Sequence, residues 1–158
     1  GKLPKQFSFN FKLITMEKVT IILERKQPHF KAVSPLCTVS NALSRMNCEN
    51  TDYLIVMDED ENFLGIITEH EIASKSLSAK MPAWQTMVKQ IMNTHLPVAF
   101  TEDTVDDCMR RMQQHHVKIM PVFEGHTFKG VVTSEDILHE AVWHRNEIFD
   151  REKEMVRH

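Results

Sequence analysis

One seven-residue phrase occurs twice in this chain, and this repeat constrains the fold more than any other feature. The first copy covers residues 65–71 and reads GIITEHE, and the second covers residues 130–136 and reads GVVTSED. A glycine, two β-branched residues, a threonine and an acid three positions later are typical of a strand that runs directly into a capped helix. The same junction suits anions, because the free N–H groups of a helix's first turn attract phosphate. Taken alone, either copy favours a helix cap over a binding site.

The repeat extends well beyond this phrase. Equivalent residues before the turn lie 66 positions apart, and those after it lie 65 apart because the second turn is one residue shorter. The matched pairs are Thr38 and Thr104, Val39 and Val105, Met46 and Met112, Val56 and Val122, Gly65 and Gly130, and Ile72 and Ile137. A period this long indicates two homologous units, each of which buries its core against a neighbour.

The sequence pattern predicts the same order of elements in each unit, namely an extended lead, a helix, a strand, a turn, a strand and a helix. In the first unit the lead covers 29–33, the helix follows the N-cap Thr38, and the strands cover 53–57 and 63–67. In the second unit the equivalents are 95–100, Thr104, 119–123 and 128–132. Because the first strand of each unit is continuously apolar, we expect it to be covered on both faces.

Together these motifs resemble a tandem pair of cystathionine-β-synthase-type (CBS) domains, often called a Bateman module. The resemblance covers about residues 19 to 140 and rests on a T-V-x-x-A/C-h-x-x-M helix, an h-P-V strand and G-h-h-T/S-x-x-D. The first unit departs from this pattern at Ile55, which replaces the proline, and at Glu71, which replaces the aspartate. The resemblance implies an α/β (α+β) sandwich of two β-α-β-β-α repeats related by a pseudo-twofold axis. It also implies two clefts, which in many relatives bind adenosine-containing ligands.

The predicted organisation has four parts. They are an N-terminal extension at 1–18, a first CBS repeat at 19–80, a second at 81–140, and a C-terminal amphipathic helix at 141–158. In the extension, alternating Phe7, Phe9 and Phe11 indicate a half-buried strand. The apolar stripe of the C-terminal helix fits either a homodimer contact or packing back onto its own module.

The resemblance also implies which residues line the clefts, each of which combines the Thr-x-x-acid phrase of one repeat with the lead and pre-strand residues of the other. One cleft would contain Thr133, Asp136, Ala32, Val33, Asp52 and Tyr53. The other would contain Thr68, Glu71, Thr94, Val98, Ala99, Lys118 and Ile119. The threonine is implied near the phosphate, the acid on the ribose hydroxyls, and the small lead residues around adenine. Since Lys118 would attract a phosphate tail and Asp52 would repel one, the two clefts need not bind the same ligand.

Composition argues against several classes of protein. A formal net charge of -3 gives no basic field for nucleic acid, and no apolar run approaches the roughly 18 residues of a membrane span. Three cysteines without C-x-x-C spacing predict a reducing, cytoplasmic location, and no signal peptide is visible. The adjacent pair His115 and His116 lacks the spacing of helical metal ligands, so no metal site is expected.

The predicted function follows from what the clefts can offer. The predicted clefts provide hydrogen-bonding groups and helix N-termini, which can bind a ligand. Catalysis needs in addition a nucleophile with its base, a metal or paired carboxylates. We therefore do not expect an enzyme. We predict a regulatory module, or ligand sensor, that binds AMP, ADP, ATP or a related adenosyl compound and transmits a change in conformation or dimer geometry to an effector protein. The alternative is a structural homodimerisation module that binds no ligand. We expect a homodimer on either hypothesis.

Overall fold

The computed structural model describes residues 16–26, 31–78 and 80–156, without the side chains of 76–78 and 143–149. The helices are α1 Thr20–Arg25, α2 Val39–Glu49, α3 Glu69–Ser78, α4 Val88–Ile91, α5 Val105–His115 and α6 Ser134–Val156. The strands are β1 Ala32–Val33, β2 Tyr53–Met57, β3 Phe63–Thr68, β4 Ala99–Phe100, β5 Ile119–Glu124 and β6 Thr127–Thr133. The strand predicted near Phe9 lies outside the described residues.

The chain divides into two compact units, named here for their place in the sequence. The inner unit is His29–Leu96, and the outer unit joins the flanking segments Gly1–Pro28 and Pro97–His158. Each unit contains a three-stranded sheet, ordered β1-β2-β3 in the inner unit and β4-β5-β6 in the outer one. In both sheets the short lead strand is parallel to the middle strand, and the third strand is antiparallel to it. The predicted mixture of helices and strands, in two similar copies, is confirmed.

These units do not coincide with the repeats predicted at 19–80 and 81–140. Helix α1 packs on β6 and α6 of the outer unit, with Val19 and Ile22 in the core of that unit. Helix α4 packs on α3 of the inner unit, with Val88 and Ile91 in its core. The short helix near the start of each predicted repeat therefore packs in the unit that contains most of the other repeat, where it buries its apolar residues.

The middle strand of each sheet is the centre of its unit's core. In β2, the consecutive residues Leu54, Ile55 and Val56 are fully buried, and in β5 the consecutive residues Met120, Pro121 and Val122 are buried. Because successive side chains of a strand point to opposite faces, burial of consecutive residues means that both faces are covered. This confirms the cover predicted from the apolar runs.

The first helix of each repeat begins and ends in the same way. Thr38 Oγ1 accepts a hydrogen bond from Asn41 N at 3.2 Å, and Thr104 Oγ1 accepts one from Asp107 N at 3.1 Å. Both predicted N-caps are thus confirmed. Asn50 and His116 directly follow these helices, and their φ angles of 51° and 53° are left-handed. A left-handed residue ends a helix because its φ cannot continue the right-handed turn.

The carboxyl-terminal segment is one continuous helix. Helix α6 runs for 23 residues from Ser134 to Val156, so the helix predicted at 141–158 is the continuation of the second helix of the repeat. None of the helices within the described ranges is both long and apolar enough to cross a bilayer.

Candidate functional site

In the inner unit the Thr-x-x-acid phrase lies beside the start of the middle strand. Thr68 ends β3 opposite Tyr53 of β2, and Glu69 N donates a hydrogen bond to Asp52 O at 3.3 Å. The lead strand lies on the other side of β2, where Ala32 is opposite Ile55. The predicted site residues that belong to this unit are Ala32, Val33, Asp52, Tyr53, Thr68, Glu71 and Thr94.

The outer unit repeats this arrangement. Thr133 ends β6 opposite Ile119 of β5, and Ser134 N donates a hydrogen bond to Lys118 O at 2.9 Å. The lead strand again flanks the middle strand, with Ala99 opposite Val122. The predicted site residues of this unit are Val98, Ala99, Lys118, Ile119, Thr133 and Asp136. Each unit thus has its own lead strand, pre-strand residue and Thr-x-x-acid phrase, while the predicted combination of residues from both repeats stays a prediction.

In the inner unit the acid of the phrase is turned onto its own helix. Thr68 N donates a hydrogen bond to Glu71 Oε2 at 3.0 Å, and the Thr68 hydroxyl donates to the same oxygen. Glu71 N in turn donates to Thr68 Oγ1 at 3.5 Å. Glu71 is only 9% exposed. Its carboxylate therefore acts as a helix cap and has little surface left for a ligand.

In the outer unit the acid caps its helix but is also paired with a cation. Thr133 N donates to Asp136 Oδ2 at 2.9 Å, and Asp136 N donates to Thr133 Oγ1 at 3.0 Å. Lys26 Nζ lies 2.8 Å from the same Oδ2 and 3.3 Å from Val131 O. Among the described residues, both hydrogen bonds to this carboxylate end on Oδ2, so Oδ1 retains lone pairs for a further donor.

A cavity of about 440 Å³ adjoins Asp136. Its walls are Ile22, Arg25 and Lys26 from the amino-terminal segment and Asp136, His139 and Glu140 from α6. The guanidinium Nε of Arg25 lies 2.9 Å from Oε1 of the buried Glu140, so a second ion pair joins the same two segments. The volume lies in the range of small-molecule sites, and its polar groups converge from two elements.

A second cavity of about 360 Å³ lies at the other side of α6, between that helix and α5. Its apolar walls include Met109, Met112, Val117, Ile137 and Leu138, with Lys118 among the lining residues. The side chain of Lys118 is exposed. The lysine predicted to neutralise a phosphate thus borders an apolar groove, whereas Lys26 is the cation that contacts Asp136.

Sequence reasoning missed one arginine in each repeat. Arg45 Nη1 donates a hydrogen bond to Ala32 O, and Arg111 Nη1 donates to Val98 O at 2.7 Å. Arg111 Nη1 also lies 2.8 Å from the carboxylate of Asp103, whose hydrogen bond raises the pKa of Arg111. Both the arginines and their acceptors are 66 residues apart, so the period itself could have identified them. Each arginine holds the backbone carbonyl of a residue that was assigned to a cleft, in β1 for Ala32 and directly before β4 for Val98.

Lys26 and Arg25 were also missed, and here no sequence signal was available. Lys26 is 110 residues from Asp136 in the chain, and Arg25 is 115 from Glu140. Periodicity and local motifs report only neighbours within an element, so a pair at this separation leaves no pattern.

The thiols of Cys37 and Cys108 are not activated nucleophiles. Burial raises the pKa of Cys108 to about 12 and outweighs the nearby Arg111, and burial also raises the pKa of Cys37. A thiol is reactive as the thiolate, so both remain protonated near neutral pH. Within the described residues there is also no group of three or more histidine, cysteine or acidic side chains placed to hold a metal ion.

Comparison with known proteins adds the family context. The family model for the CBS domain matches residues 25–78 and 88–142. MJ1404 of Methanocaldococcus jannaschii is 27% identical over 139 residues, which are 80% of this chain and 32% of that protein. The chain thus spans about a third of the length of that relative.

Two solved structures share the fold. The CBS domain structure NE2398 has a TM-score of 0.75 at 30% identity, covering 80% of this chain and 99% of that one. The CBS domain pair of MJ0100, solved with 5′-methylthioadenosine and S-adenosyl-L-methionine, has a TM-score of 0.66 at 26% identity. That match covers 78% of this chain and 94% of the other.

Proposed function

This chain belongs to the CBS domain family, and from that premise we propose that it is a non-catalytic regulatory module that binds an adenosyl ligand beside Asp136. The observation that carries the proposal is the Asp136 carboxylate, which retains a lone-pair atom at the edge of a 440 Å³ cavity. Ribose hydroxyls are donors that suit this oxygen. A phosphate suits the helix start at Thr133, where free N–H groups and the helix dipole favour negative charge.

The two units differ as ligand sites. Glu71 is buried in its own helix cap, whereas the Asp136 side chain is 21% exposed and borders a cavity. We therefore propose the outer unit as the principal site. The sequence placed its only obvious phosphate-binding cation at Lys118, but the structure adds Lys26 beside the acid, so the outer unit combines the ribose acceptor with a positive charge.

The ligand class is supported by chemistry shared with a relative. The domain pair of MJ0100 was solved with 5′-methylthioadenosine and S-adenosyl-L-methionine, two adenosyl compounds. AMP, ADP and ATP carry the same adenine and ribose, so they would present the same hydroxyls to Asp136. The effect of binding on a partner effector protein, and a cytoplasmic location suggested by the free thiols, belong to the same proposal.

The proposal is tested by replacing Asp136 with alanine. Without the carboxylate the ribose hydroxyls lose their acceptor, so the affinity for AMP should fall by about 1–3 kcal/mol, or roughly 5- to 150-fold. Isothermal titration calorimetry on the full chain measures this directly. Unchanged affinity in a folded Asp136→Ala protein would refute the assignment of the ribose to this residue.

A matched control is available because Asp107 caps a helix in the same way. Its Oδ2 accepts a hydrogen bond from Thr104 N at 3.0 Å, and Asp107 does not line the cavity. Asp107→Ala should lose about 1 kcal/mol of stability, as a helix cap does, and should leave the affinity for AMP unchanged. A similar loss of binding in both variants would mean that the cap, and not the ligand contact, is responsible.

A second candidate function, homodimer assembly, is favoured by apolar surface on the outer unit. Leu138 and Val142 of α6 are 55% and 45% exposed, and Leu138 also lines the apolar groove beside α5. Burying this surface against a copy of itself would stabilise a dimer by about 25 cal/mol per Å² of apolar area. Trp143, Ile148 and Phe149, which the sequence assigned to the same contact, have side chains outside the described residues.

We expect the full chain to be a dimer at micromolar concentration and a chain ending at Arg145 to dissociate more readily. The truncation removes the exposed Met155 and Val156 together with the last turns of α6. Light scattering over a concentration series measures both states. A monomeric full chain would defeat the dimer prediction, and an equally stable truncated dimer would show that the tail contributes nothing to it.

A further inference from the structure

The inner unit carries exposed apolar side chains on two segments that are joined to each other. Val88 N donates a hydrogen bond to Cys37 O at 2.8 Å, and Lys89 N donates one to Pro35 O at 3.0 Å, so the segment after β1 lies against the start of α4. Exposed apolar side chains that occur together mark interaction surfaces more often than single ones do. We call this set the apolar patch, and its exposed members are Leu36, Met81, Trp84 and Met87.

The backbone holds the largest member of the patch, Trp84, in place. Pro82 O accepts a hydrogen bond from Thr86 N at 3.1 Å, and Ala83 O accepts one from Ser40 N at 3.1 Å. Thr86 is 1% exposed and anchors this turn in the unit, whereas Trp84 is 66% exposed. A side chain on an ordered turn loses little freedom when it is covered, so Trp84 is preorganised as an interface anchor.

The second repeat shows that the fold does not require apolar residues at these places. Met87 and Lys18 are equivalent, because each forms the isolated bridge to the N-cap threonine of its unit. Leu36 and Glu102 are equivalent by the 66-residue period. Lys18 and Glu102 are exposed, as their apolar counterparts are. The same backbone joint is thus built with polar surface in the outer unit, so packing within a unit does not explain the apolar patch.

The segments that build the patch carry basic residues and no acidic ones. Residues 31–48 and 72–101 contain no aspartate or glutamate, although the whole chain has 22 acidic residues. Lys80 directly precedes the patch residue Met81, Lys89 lies two positions after Met87, and both lysines are exposed. Positive charge beside apolar surface suits a partner of the opposite charge. It disfavours a second copy of the patch, which would bring positive charge against positive charge.

We propose that the apolar patch is a docking surface for an acidic segment of a partner protein, with Trp84 as its anchor. Tryptophan and methionine are enriched at the centres of protein interfaces. Docking on anionic lipid typically uses about four to eight clustered basic residues, which is more than Lys80 and Lys89 supply. The proposal does not depend on the adenosyl ligand, because the patch belongs to the inner unit and Asp136 belongs to the outer one.

The experiment selects phage-displayed random dodecapeptides on the full chain and measures the enriched sequences as labelled synthetic peptides by fluorescence anisotropy. The enriched peptides should be acidic and should contain apolar residues. Trp84→Ala should weaken their binding by at least about 10-fold, as expected for an aromatic anchor. Lys89→Glu should weaken it by about 3- to 10-fold through charge reversal, and this difference should shrink at high salt.

The controls change exposed side chains of the same kinds on the outer unit. Met16→Ala truncates an apolar side chain that is 78% exposed, and Lys129→Glu reverses a surface charge. Neither residue belongs to the apolar patch, so both variants should bind the selected peptides as tightly as the wild type does.

Three results would overturn the proposal. They are a selection that enriches no peptide, enriched peptides that lack acidic residues, and enriched peptides that bind Trp84→Ala as tightly as the wild type. Phosphatidylserine vesicles that bind the wild type but not Trp84→Ala, in the absence of any peptide ligand, would identify a membrane surface and exclude the protein partner. If circular dichroism shows that Trp84→Ala is misfolded, Leu36→Ala carries the same comparison, because Leu36 is also mostly exposed.

Discussion

Replacing Gly65 with alanine should destabilise the chain by about 2–4 kcal/mol, because the new methyl group would collide with backbone. A Cβ at this position would lie 2.7 Å from Asn93 O, and a carbonyl in a backbone bridge cannot rotate away as a side chain can. The bridge consists of Ile66 N donating to Asn93 O at 3.1 Å and Asn93 N donating to Ile66 O at 2.8 Å. Moving Asn93 would weaken both bonds.

Gly125→Ala is the control for the loss of a glycine. Gly125 has a φ of +59°, and a Cβ there would meet nothing within 4 Å, so only backbone strain of about 1–2 kcal/mol is expected. Urea denaturation of both variants gives the free energy of unfolding. If Gly65→Ala is no more destabilising than Gly125→Ala, the backbone around Asn93 can move away from the new methyl group at little cost, and the bridge between Ile66 and Asn93 contributes little to stability.

The repeat predicted the middle of each unit well. The strand predicted at 53–57 is β2, Tyr53–Met57, and the strand predicted at 119–123 is β5 with one further residue. Both predictions rest on local features, namely apolar runs bounded by polar turns. The extended leads predicted at 29–33 and 95–100 contain, within the described residues, the two-residue strands Ala32–Val33 and Ala99–Phe100. Each pairs with a single neighbour at a sheet edge, and sequence patterns do not show how far such pairing extends.

The site could be predicted only in part. The phrase located Thr133 and Asp136 at a strand-to-helix junction, and it also predicted the caps that the structure confirms. It could not predict Lys26, because the contact depends on α1 packing in the outer unit, 110 residues from Asp136 in sequence. Nor could it show that Glu71 is buried while Asp136 borders a cavity, since both satisfy the same motif.

Leu54→Ala should give the other large effect, a loss of about 2.7–5 kcal/mol, because it opens a hole at the centre of the inner unit. Leu54 is fully buried in β2, opposite Ile67 of β3, and belongs to the core formed with Val39 and Met46. The closely packed sheet and helices of this core cannot collapse fully onto the missing atoms, so lost packing adds to the lost burial. The midpoint of thermal unfolding should fall by roughly 5–20 °C.

The matched control is Leu36→Ala, which removes the same atoms from a leucine of the same unit that is 60% exposed. Surface substitutions usually change stability by about 0.5 kcal/mol or less, so this variant should unfold close to the wild type. Calorimetric or circular dichroism melts of both variants measure the difference. If the two variants lost the same amount of stability, the inner unit would not have a core centred on β2. A large effect is expected for Leu54→Ala alone of the two, because the Leu54 side chain is fully buried whereas most of the Leu36 side chain already contacts water in the folded protein.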